Sequence, residues 1–68
     1  MNELALLQAV RLKGRVRPRD LAATLDAGQP TVDEAVNELG EAGLLMAGTT
    51  VRLSPDGRVR LAELLAEE

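Results

Sequence analysis

The stretch Gln29-Pro30-Thr31-Val32-Asp33-Glu34-Ala35-Val36-Asn37-Glu38-Leu39-Gly40-Glu41-Ala42-Gly43-Leu44-Leu45-Met46-Ala47-Gly48-Thr49-Thr50-Val51-Arg52-Leu53-Ser54-Pro55-Asp56-Gly57-Arg58 changes its hydrophobic period twice. Val32, Val36, Leu39 and Gly43 recur at i, i+4, i+7 and i+11, with Ala35 and Ala42 beside them. That is one buried stripe of a helix over residues 30–42. Pro30 suits its first position, and Asp33 and Glu34 place negative charge in the first turn, as the helix dipole favours. Gly43 closes it. Leu44–Ala47 and Thr50–Leu53 then read as two short strands around Gly48-Thr49, the Gly-X chemistry of a type II′ hairpin. Ser54-Pro55 supplies an N-cap and an N1 proline, opening a last helix with Leu61, Leu64 and Leu65 as its apolar stripe.

Upstream, Asn2 is a good N-cap, and Leu4, Ala5, Leu6, Leu7 and Val10 give a broad apolar face up to about Lys13. Gly14 ends this first helix, with Arg11 and Lys13 at its negative end. Pro18 pushes the residue before it toward extended geometry, so Arg15-Val16-Arg17 reads as a short extended segment. A second helix fits residues 18–26, with Asp20 on its dipole and Leu21 paired to Leu25, and Gly28 breaks it. The order is helix, short strand, helix, helix, hairpin, helix. This predicts a mainly α domain with a small β-hairpin, spanning residues 1–68 as a single unit. Its core is expected around Leu7, Val10, Leu21, Leu25, Val32, Val36, Leu39, Leu45, Leu53, Leu61 and Leu65.

With 68 residues, 46% of them hydrophobic and 28% charged, the chain has enough apolar surface for one small core. It holds no Cys and no His, which removes the thiolate and imidazole that catalysis and metal binding use most. It also holds no Phe, Tyr or Trp, so no base can stack on an aromatic platform. Ser54, the single serine, has no activating base nearby and is better spent as a cap. Asp33 and Glu34 are adjacent and point apart on a helix, so they form no carboxylate dyad. The glycines stand singly at element ends, not in a phosphate-binding loop. An enzyme is not expected, nor any cofactor or metal. No stretch spans a membrane, and no signal segment opens the chain; a cytoplasmic protein is expected. Seven Arg against one Lys, ten Ala and no Ile are the usage of a GC-rich bacterial genome.

Order and residues together resemble a winged helix-turn-helix domain: a three-helix core, a short two- or three-stranded wing sheet and a C-terminal helix. Asp20-Leu21-Ala22-Ala23-Thr24-Leu25 looks like the first helix of the motif. Gln29-Pro30-Thr31-Val32, Val36, Leu39 and Gly43-Leu44-Leu45 look like the recognition helix and its exit into the wing. Leu53-Ser54-Pro55-Asp56-Gly57-Arg58 is similar to the return from the wing in MarR-like transcription regulators. A narrower resemblance rests on Arg11-Leu12-Lys13-Gly14, Pro18, Leu21 and Ala22 with the same return. These look like the small winged-helix module of some actinobacterial pyruvate phosphate dikinase-like proteins, where the module would be accessory.

The net charge of −3 conceals an asymmetry. Arg11, Lys13, Arg15, Arg17 and Arg19 crowd a segment without an acid, whereas residues 20–51 carry acids and no base. A recognition helix lays its N-terminal half into the major groove, against a polyanion. Here the outward positions are Asp33, Glu34, Asn37, Glu38 and Glu41, with Glu34, Glu38 and Glu41 forming a stripe opposite Val36 and Leu39. The wing tip, Gly48-Thr49, brings no Arg or Lys. The expected role is therefore a non-enzymatic regulatory or protein-interaction module, with Asp33, Glu34, Asn37, Glu38 and Glu41 as the protein-contact face. The partner would be another protein or the rest of a parent chain. The alternative is a MarR-like DNA-binding regulator, disfavoured by the helix charge; its nucleic-acid or anion contacts would be Arg15, Arg17, Arg19, Gln29, Thr31, Asn37 and Arg52. Arg52 is as ready to pair with a carboxylate. Exposed Leu6, Leu12 or Leu64 on the terminal helices would mark a partner surface.

Overall fold

In the computed structural model, which describes residues 2–67, the chain forms α1 (Glu3–Lys13), α2 (Pro18–Leu25), α3 (Gln29–Glu41), β1 (Leu45–Ala47), β2 (Val51–Leu53) and α4 (Pro55–Glu67). α1 begins where Asn2 Oδ1 accepts the Leu4 amide at 2.8 Å, and closes where the Gly14 amide donates to the Val10 carbonyl. α2 ends at Leu25 with Asp26 as its C-cap, within a residue of the expected bound, and Gly28 lies beyond it. Asp26 takes the left-handed conformation (φ 52°), which a short polar side chain tolerates better than most. From there the Asp26 and Ala27 amides donate to the Ala23 and Ala22 carbonyls at 3.3 and 3.0 Å, capping the helix end. Gly28 is extended and serves instead as the N-cap of α3.

α3 starts one residue earlier than the sequence suggests. Pro30 is therefore its second residue, and the first turn holds no acid: Asp33 and Glu34 fall in the second turn, where the dipole favours them less. At the far end Gly43 adopts φ 80°, and the Gly43 and Leu44 amides donate to the Gly40 and Leu39 carbonyls at 3.1 and 2.9 Å. This turn aims Leu44-Leu45 directly into the hairpin.

The hairpin differs from expectation at its tip. Leu45 pairs with Leu53, Met46 with Arg52 and Ala47 with Val51, leaving a three-residue connection, Gly48-Thr49-Thr50. Gly48 lacks the positive φ of a type II′ turn. Burial explains the longer loop. A two-residue turn would set Arg52 opposite Leu45 and swing it to the core face, with Val51 turned to water; a slip of one residue reverses every side chain. In the observed register Val51 is fully buried and Arg52 exposed. Val16 adds a third, single-bridge strand: its amide donates to the Val51 carbonyl at 3.1 Å, and the Val51 amide returns the bond at 2.7 Å.

The core is built from Leu6, Leu7, Val10, Val16, Leu21, Val32, Val36, Leu45, Val51 and Leu61, with Ala9 and Ala22 filling close contacts. Leu25, Leu39 and Leu53 pack against it from partly buried positions. Leu65 does not join: it is 39% exposed, and Leu64 packs in its place. Leu6 lies in the core at 1% exposure and Ala5 faces water, because α1 meets both α2 and α4 and so buries a wider arc on that side. Of Leu6, Leu12 and Leu64, only Leu12 is fully exposed, at 82%.

α4 is tied to the α3 exit at two points. Ser54 Oγ accepts the Gly57 amide at 2.9 Å and donates to the Gly43 carbonyl, so the expected cap also clamps two elements. Gly57 lies so close to the Leu44 carbonyl that a Cβ there would overlap its oxygen. Farther along, Arg60 donates to both carboxylate oxygens of Glu3 at 3.3 and 3.4 Å, joining α4 to α1. The hydrogen bond to Glu3 and that carboxylate's charge hold the Arg60 guanidinium above its ordinary pKa. The body measures 28 × 22 × 19 Å. Two helices joined by a three-residue turn, a wing after the second and flanking helices at either end define a winged helix-turn-helix domain.

Candidate functional site

α3 is the element such a fold offers to a partner, and its exposure follows from its apolar spacing. Val32 and Val36 are buried and Ala35 and Leu39 half-buried, which leaves Asp33, Glu34, Asn37, Glu38 and Glu41 in solvent. The three glutamates share the outward side, as their i, i+4, i+7 spacing requires. Glu38 also lines a crevice of about 90 Å³ with Asn2, Glu3, Leu6, Ala35 and Leu39. Glu38 thus stands on the side of the stripe that faces α1. No ion pair within 4.0 Å engages any of these carboxylates among the described residues. Gln29 and Thr31 are exposed at the start of α3, and Thr49 at the wing tip is exposed and shares a hollow with Arg15 and Arg52.

The fold puts the basic candidates in different settings. Arg17 is held by Asp20, Nε to Oδ2 at 2.9 Å, and Arg19 is exposed in the first turn of α2. Arg15 and Arg52 come together, because the bridge between Val16 and Val51 places their strands side by side. Arg52 has no carboxylate within 4.0 Å among the described residues. Two further cations, Arg11 on α1 and Arg58 on α4, reach the same surface. No local sequence pattern connects them; only the packing of α1 and α4 beside β2 does so.

Among the described residues no group of three or more acidic, His or Cys side chains could hold a metal ion, and no helix is long and apolar enough to cross a membrane. No protein-family model and no curated protein matches the chain. Among solved structures the fold is similar to a candidate transcriptional regulator from Pseudomonas aeruginosa, with a TM-score of 0.86 and 35% identity. The match covers 94% of this chain and 48% of that one, so the chain spans about half of its solved relative.

Proposed function

We propose that residues 1–68 form a single non-enzymatic regulatory module of the cytoplasm, which docks through α3 on a protein partner or on another part of its own polypeptide. The observation that carries this reading is the α3 surface: Asp33, Glu34, Glu38 and Glu41 are exposed, with no base between Asp20 and Val51 to offset them. A major-groove helix must release counterions from the phosphates with Lys or Arg. This helix would bring carboxylates to them instead. A basic protein surface fits the stripe, and Asn37 adds a neutral hydrogen-bonding group beside it.

A second reading, a MarR-like DNA-binding regulator, is favoured by the likeness to a candidate transcriptional regulator and by the exposed Gln29, Thr31 and Asn37 on α3. Its phosphate contacts would come from Arg15, Arg17, Arg19 and Arg52.

Titration with duplex DNA at about 150 mM salt separates the two. Ordinary non-specific binding lies near 10⁻⁴ to 10⁻⁶ M, and the acidic stripe should push this domain weaker, with no saturable amide shift on α3. Exchanging Glu34 and Glu38 for Arg should then create salt-dependent affinity, with the slope of log K on log salt steeper by about 2. A tight, sequence-dependent shift of Thr31 and Asn37 in the unmodified domain would establish the second reading instead.

A further inference from the structure

The antiparallel bridge of Val16 with Val51 sets a register in which Arg15 stands opposite Arg52. Like charges directly across neighbouring strands oppose their pairing. Both residues are exposed, and neither meets a carboxylate within 4.0 Å among the described residues. Arg17 and Arg60, by contrast, are each paired. Arg58 is placed still less favourably, near the N-terminus of α4, where the helix dipole is positive. Arg11 closes the remaining side from the last turn of α1, where the dipole does welcome a cation. These four arginines, from four different segments, surround one cleft of about 610 Å³ with no acidic residue in its lining. Folding by itself gains nothing from gathering Arg15, Arg52 and Arg58 there.

We propose that this cleft is an effector site for a compact, multiply charged phosphate anion, of the diphosphate or phosphorylated small-molecule class. Its volume is that of a small-ligand pocket. The guanidinium fork matches phosphate oxygens bidentately, and convergence from several sides suits an anion with charge on more than one face. The chain holds no aromatic side chain, so recognition rests on phosphate and not on base stacking. Leu12, 82% exposed, stands on the cleft wall and offers apolar contact to a small organic body. A duplex presents its phosphates in a row along a convex edge, which suits arginines converging from several segments less well than a compact anion does. The site lies away from α3 and does not depend on what α3 meets.

The test is calorimetric and amide-shift titration of the full chain with pyrophosphate, against sodium chloride of equal ionic strength. Saturable shifts are expected at Gly14, Arg15, Arg52, Leu53 and Arg58, and not on the outward face of α3. Inorganic phosphate should bind about tenfold more weakly, having fewer oxygens to share among the arginines. Arg15→Gln and Arg52→Gln should each weaken pyrophosphate about tenfold while leaving the melting temperature unchanged or raised, since each relieves a like-charge pair. Arg19→Gln, outside the cleft, should leave the affinity as it was. Shifts that sodium chloride reproduces, or an Arg15→Gln variant of undiminished affinity, would overturn the proposal. A short DNA duplex binding through the same amides more tightly than pyrophosphate would overturn it too, and would assign the surface to nucleic acid.

Discussion

The outer side of α3 and the cleft beside β2 are both strongly charged, and they come about in different ways. The acids of α3 belong to one helix, and their common face follows from its pitch alone. The arginines of the cleft belong to α1, the Val16 strand, β2 and α4, and only the closed fold brings them together. The first surface would survive in any helical state of residues 29–41. The second exists only while the hairpin register and the seating of α4 hold. A charge pattern within one element is thus a property of the segment, and one shared among elements is a property of the core beneath it.

The most severe way to break this contrast is to remove the core that both surfaces need. Leu21 is fully buried, so Leu21→Ala leaves a cavity and should cost about 2–5 kcal/mol. In a domain this small that is a large share of total stability. Chemical denaturation should show it, with cleft and α3 amides losing protection together. Survival of the cleft signals after global unfolding of α1 and α2 would contradict the shared core.

Gly57→Ala should act selectively. The added Cβ would overlap the Leu44 carbonyl oxygen, a backbone atom that cannot rotate away, so α4 must shift from the α3 exit. Overpacking of this kind costs about 1–3 kcal/mol, occasionally more. Amide shifts should concentrate at Leu44, Ser54 and Arg58 and fade toward Thr31 at the other end of α3. Pyrophosphate binding should weaken with them. Uniform shifts along α3 would show that the two surfaces are coupled more tightly than their construction implies.

The smallest effect is expected at the tie between α1 and α4. Arg60 has a raised pKa, so its contribution is fully present below the unfolded value and is lost only as pH climbs through the higher folded value. On the arginine side the pair should therefore be insensitive to pH between 6 and 9. Glu3→Gln removes the carboxylate from a half-exposed pair, and such pairs contribute little and are screened by salt. Thermal melts at low salt should show a slight loss of stability that disappears at about 1 M NaCl. A large, salt-independent loss would mean that Glu3 does more than pair with Arg60.

Local chemistry was legible wherever one segment determines it. Asn2 and Ser54 cap the helices they precede, Gly43 ends α3, and Val32 and Val36 face inward, all as their spacing requires. The left-handed step after α2 falls on Asp26 and not on Gly28, since a short polar residue near a turn can supply it as a glycine can. The acidic face was legible for the same reason. The meeting of Arg11 with Arg58 is not legible in the sequence, because nothing within either segment refers to the other.

By itself the sequence determined the order of helices and hairpin, the caps that delimit them and the negative charge of α3, because helix pitch, capping hydrogen bonds and turn geometry act over a few residues. Tertiary packing decided the rest. The demand to bury Val51 and keep Arg52 in water chose a three-residue wing tip over a two-residue turn. The meeting of α1 with α2 and α4 took Leu6 into the core, and Leu64 instead of Leu65 packed against it. The bridge from Val16 to Val51, with α4 seated beside β2, gathered separate arginines around one cleft. Each of these depends on which faces meet, and that is settled by the shared burial of apolar surface among elements distant in the chain.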